Sequence, residues 1–184
     1  MSEEKIQYAD DDTESVGLLF RLRVPSLVIG LALGVLLSFA TSRFEEVLAV
    51  NVKVAFFIPL IVYLAAAVGA QTQSIYARDL RTGKASFRKY LLKEAPLGVI
   101  FGLGFAALVA PVVFFWFGSG ELALSVGLAL LAAVTSAPLI ALIVTELLQL
   151  EHKDPAVGSG PIATVIQDTV SILIYGAIAS AIIL

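Results

Sequence analysis

Cysteine is absent from this 184-residue chain, and histidine occurs once, as His152. Without thiolates, neither a disulfide framework nor a cysteine-ligated metal centre can form, and one imidazole cannot build a histidine cluster. Charge is scarce as well. Asp, Glu, Lys and Arg make up 15% of the residues, against about 25% in a soluble globular domain. With 59% hydrophobic residues and a mean hydropathy of +0.95, there is too little polar surface to cover a soluble fold. The chain therefore reads as an integral membrane protein. It opens with the acidic MSEEKIQYADDD, whereas a secretory leader begins with a basic stretch, so no cleaved signal is expected. Also lacking are a nucleophile–base pair, an HExxH helix, a Walker loop and a dinucleotide fingerprint. An enzyme is not expected.

What the chain does have is five long apolar runs, at about 24–41, 47–70, 95–117, 122–148 and 161–184. At 1.5 Å of rise per residue, each can cross roughly 30 Å of hydrocarbon as a helix. The predicted architecture is an all-α membrane protein of five spans over 21–184, preceded at 1–20 by an acidic tail and a short interfacial segment. Gly30 and Gly34 in the first run, and Gly98, Gly102 and Gly104 in the third, suit close helix approach. Phe114, Phe115, Trp116 and Phe117 form an aromatic belt, and Lys53 can snorkel to the interface.

Cations cluster between the second and third runs: Arg78, Arg81, Lys84, Arg88, Lys89 and Lys93. The positive-inside rule places this connection in the cytoplasm, where headgroups and topology account for it without nucleic acid. Arg21 and Arg23 precede the first run on the same side of a five-span chain, giving N-in, C-out in a plasma (inner) membrane.

The last run holds one carboxylate, Asp168. A charge at bilayer depth costs at least about 2.5–3.5 kcal/mol on insertion scales, so it marks a site by default. Thr164, Asp168, Ser171 and Tyr175 follow at spacings of four, three and four, a ladder of oxygens along one helical face. Gly160 and Pro161 stand at its mouth, and Gly69, Gln71, Thr72, Gln73 and Ser74 end the second run with small or neutral polar residues. Hard divalent cations take oxygen ligands and keep several waters. One aspartate is a poor site alone, but a twofold homodimer supplies two carboxylates. Three alternatives stay open: a packing role in which Asp168 pairs with Gln71 or Lys53, a proton-coupled secondary transporter, and a non-conducting membrane subunit.

The stretch LEHKDPAVGSGPIATVIQD resembles the last-helix signature of the MgtE-type magnesium channels, a family related to the SLC41 carriers. RVPSL, FFIPLI, GAQTQSIYARDL and LRTGK extend the resemblance over most of the chain from Arg21. It implies a dimeric five-helix transmembrane domain whose second and fifth helices line a central path for Mg2+ or a similar divalent cation. Asp168 matches the family's ion-binding aspartate, Thr164 the backbone-oxygen position one turn earlier, and Gly69 and Gln71 the Gly-x-Gln of the second helix. Gly160 and Ala67 stand where the family commonly has Asn. No covalent cofactor is implied. The family's cytosolic N-domain and CBS modules have no counterpart in the roughly twenty residues before the first run, so regulation through them is not expected.

Overall fold

The computed structural model describes residues 12–150 and 155–184, the side chains of 155–159 excepted. Residues 1–11 of the expected acidic tail, together with His152 and Asp154, lie outside the described residues. The described chain is helical throughout: α1 (Val16–Ser42), α2 (Glu45–Val50), α3 (Lys53–Arg81), α4 (Phe87–Phe117), α5 (Gly120–Leu150) and α6 (Pro155–Ile183). All but the six-residue α2 are long and apolar enough to cross a membrane.

These helices outrun the apolar windows. Hydropathy marks the length of chain that sits in hydrocarbon, whereas backbone hydrogen bonding carries a helix on into the headgroup layer. The interfacial segment is thus the first turns of α1, capped by Ser15, whose Oγ accepts from the Leu18 amide. The basic connection likewise shrinks to 82–86, with Arg78 and Arg81 closing α3. In the other direction, the second run is cut. Asn51 ends α2, and its Oδ1 accepts from the Lys53 amide, an Asx-type turn that lets the chain redirect before α3.

α5 is the hub. It packs against α4, α3 and α6, whereas α1 lies outside and packs chiefly on α6. Inside a bilayer there is little hydrophobic drive for helices to associate, so close packing must supply the attraction. Small residues make this possible. A Cβ at Gly98 would come within 2.8 Å of the Thr135 carbonyl, and one at Gly102 within 2.7 Å of the Leu131 carbonyl. Gly104, on the same helix, faces open space, and of the pair on α1 only Gly30 meets a neighbour, α6 at Pro161 and Val165. The α4–α5 turn is tight because Gly118 adopts φ +65° and returns its amide to the Phe114 carbonyl. Phe115 and Trp116 are exposed there, as an interfacial belt requires, and the Lys53 ammonium lies 5.4 Å from the Phe117 ring centre.

Candidate functional site: a lone carboxylate on α6

Helix periodicity divides the surface of α6 among its neighbours. Gln167 and Ser171 face α5: Gln167 Nε2 donates to the Ala133 carbonyl (3.3 Å) and to Ser171 Oγ (3.1 Å). Tyr175 faces the start of α3 and donates to the Val54 carbonyl at 3.0 Å. Pro161 and Val165 face α1 at Gly30. Asp168 falls between the α3-facing Thr164 and the α1-facing Val165, over the seam between α1 and α3. Those two helices make no extensive contact with each other.

Asp168 is half-buried, and its Oδ1 is buried without a hydrogen-bond partner. The packing alternatives for it are not realised: Lys53 sits over Phe117, and Gln71 is exposed on the outward side of α3. One turn further, Ile172 borders an open groove of about 780 Å³ between α1, α2 and α6, which is also lined by Ser38, Thr41, Ser42 and Glu45.

The other expected residues separate into two groups. Thr164 is exposed and, with Gly69 and Gln73, edges a crevice of about 20 Å³ between α3, α5 and α6, room for one water. Gly160 adjoins it, since a Cβ there would lie 3.6 Å from Gln73 Nε2. Ser171 and Gly69 are instead tied into the bundle. Ser171 is fully buried against Gln167, and Gly69 packs 3.4 Å (for an added Cβ) from the Ala137 carbonyl. The oxygen ladder therefore splits, with Thr164 exposed, Asp168 half-buried, and Ser171 and Tyr175 inside.

Sequence reasoning missed a second set of polar contacts, which hold α3 to α4 and α5. Thr72 Oγ1 donates to Glu94 Oε2 (2.8 Å), Tyr76 OH to Glu146 Oε2 (2.6 Å) and Tyr90 OH to Asp79 Oδ2. The Tyr76 and Tyr90 rings stack at an angle, 4.7 Å apart. Glu146, in the last turns of α5, is thus the acceptor for a fully buried tyrosine. These partners are 11 to 70 residues apart in the chain, and only the helix spacing of Tyr76 from Thr72 hinted at a shared face. No group of three or more metal-ligating side chains occurs among the described residues.

Residues 58–178 match the model of the MgtE family, described as a divalent cation transporter. The chain belongs to the MgtE family. The matched stretch runs from within α3 almost to the end of α6 and contains Gly69, Gln71, Gly160, Thr164, Asp168 and Ser171. Three proteins named magnesium transporter MgtE are similar to it. The one from Bacillus subtilis is 29% identical over 94% of this chain and 39% of its own length. That from Enterococcus faecalis is 32% identical over 86% of this chain and 36% of its own. The Thermus thermophilus protein is 30% identical over 88% and 36%. This MgtE-family chain thus spans well under half the length of the relatives it matches.

Proposed function

We propose that this chain conducts or transports a divalent cation, Mg2+ before others, across the plasma membrane as a twofold homodimer. The path runs between the two copies and is lined by α3 and α6 of each. Asp168 from both copies holds a largely hydrated ion, while Thr164 and Gly160 line the path toward the basic, cytoplasmic end. Gln71, exposed on α3, is a further lining candidate. Ser171 and Gly69 support the lining helices from behind. In this reading Arg21 and Arg23 before α1, and the cations from Arg78 to Lys93 around the 82–86 connection, lie on the cytoplasmic side, which places residues 1–20 there as well.

The observation that carries this reading is the unpartnered, buried Asp168 oxygen in a spanning helix, between α1 and α3, which make no extensive contact with each other. Among the described residues nothing donates to that buried oxygen, and a cation beside it would offset its desolvation. A hydrated divalent ion suits it best, because two carboxylates on a twofold axis balance its charge and its waters bridge the remaining gap.

The absence of cysteine makes a clean test possible. Thr164→Cys would place the only thiol on the path, and Leu103→Cys would place it on the exposed outer side of α4. A charged thiol reagent should block divalent flux through the Thr164→Cys protein in liposomes, with Mg2+ slowing the block, and leave Leu103→Cys unaffected. Full flux in the modified Thr164→Cys protein would contradict this path.

A further inference from the structure

The outer surface of α4 carries a second feature that the ion path does not use. α4 is pinned in rotation by Gly98 and Gly102, which bring it into backbone contact with α5. Lys89 and Lys93, one turn apart, consequently point away from the bundle, with Arg88 beside them, and all three are exposed. Among the described residues none of the three makes an ion pair, while the nearby acids are engaged: Asp79 with Arg78 and Tyr90, Glu94 with Thr72.

Their position on the helix is electrostatically unfavourable. Arg88 and Lys89 sit in the first turn of α4, where the helix dipole is positive and acidic residues are favoured, yet that turn has no acid and Ser86 gives no side-chain cap. Local helix energetics alone would select against two cations here. An anion bound at this point would be attracted by both cations and by the positive end of the helix dipole, and would offset that repulsion.

The same outward face continues into the bilayer as an apolar row, Leu92, Ile100 and Leu103, all more than half exposed. Cations at the membrane end of a lipid-facing stripe match one kind of ligand, with an anionic head and two long hydrocarbon tails. We infer that the N-terminal outer face of α4 is a binding site for an anionic phospholipid. Its phosphate lies against Arg88, Lys89 and Lys93, and its acyl chains run along Leu92, Ile100 and Leu103.

The test uses the purified chain in uncharged detergent, titrated with phosphatidylglycerol, with phosphatidylcholine of the same chains, or with inorganic phosphate. Bound lipid is counted by native mass spectrometry, and stability is followed by thermal unfolding. Phosphatidylglycerol should bind and raise the unfolding temperature, and the other two should do neither. Each of R88Q, K89Q and K93Q should weaken retention roughly fivefold, judged from the usual strength of one cation near an anionic surface. Lys84→Gln, exposed in the adjoining turn but off this face, should leave it unchanged. Equal binding of the two lipids, an effect of phosphate alone, or undiminished retention in the single variants would each overturn the assignment.

Discussion

Replacing Gly102 by alanine probes whether α4 is held by backbone contact with α5. A Cβ there would lie 2.7 Å from the Leu131 carbonyl oxygen and 3.0 Å from Thr135 Oγ1. Carbon and carbonyl oxygen ordinarily approach no closer than about 3.3 Å, so the helices must part by roughly 0.6 Å or bend. Overpacking of this kind costs about 1–3 kcal/mol. Gly104→Ala is the matched control, two residues on in the same helix, with nothing within 4 Å. Both substitutions gain the same helix propensity, about 0.5–1 kcal/mol. Their difference therefore isolates the clash, and Gly102→Ala should be the less stable by about 1–3 kcal/mol. Gly98→Ala should behave like Gly102→Ala, and the double variant should cost less than the sum, because both press on Thr135. Reversible unfolding in mixed micelles, followed by circular dichroism, measures the difference. Equal stability of the Gly102→Ala and Gly104→Ala proteins would refute the backbone contact.

Other consequences concern the polar ties and a second tight contact. Tyr76→Phe removes the donor to Glu146 and leaves a half-buried carboxylate without it, so stability should fall by about 1–3 kcal/mol in the same unfolding assay. Tyr76→Phe with Glu146→Leu should recover part of that loss, and no recovery would show that the hydrogen bond is not what Tyr76 supplies. Gly176→Ala would drive a methyl into the Phe44 ring, which covers α6 where the chain turns from α1 into α2. It should destabilise by about 1–3 kcal/mol, and Phe44→Leu should relieve most of the cost. A Gly176→Ala protein as stable as the parent would place that ring elsewhere.

Five spans were legible because hydropathy over some twenty residues is a strong signal, and the lone Asp168 was legible because an intramembrane charge is rare. The ends of the helices were not. Arg78 and Arg81 look like loop residues on a hydropathy scale, yet they continue α3 into the headgroup layer. The break at Asn51 was also missed, because the apolar residues on both sides merge into one window and only the Asx turn marks the change of direction. Ser171 illustrates a limit of face arguments: it shares a stripe with Asp168, but a shift of some 60° around α6 puts it toward α5 and its partner Gln167. Gln167 could have been found, since an amide four residues before a serine in an apolar helix is a ready hydrogen-bonding pair. Glu94 and Glu146 could not, because their hydroxyl donors on α3 lie 22 and 70 residues away in sequence.

The central claim is that Asp168 belongs to the cation path and not to the packing of the bundle. Asp168→Asn keeps the shape of the side chain and removes its charge, and Oδ1 has no hydrogen bond to lose. The decisive measurement is Mg2+ flux into liposomes holding the parent or the Asp168→Asn protein, with unfolding stability measured alongside. The account predicts that flux in the variant falls at least about tenfold while stability holds or rises, since a desolvated charge worth a few kcal/mol has been removed. Unchanged flux in a folded Asp168→Asn protein would contradict it.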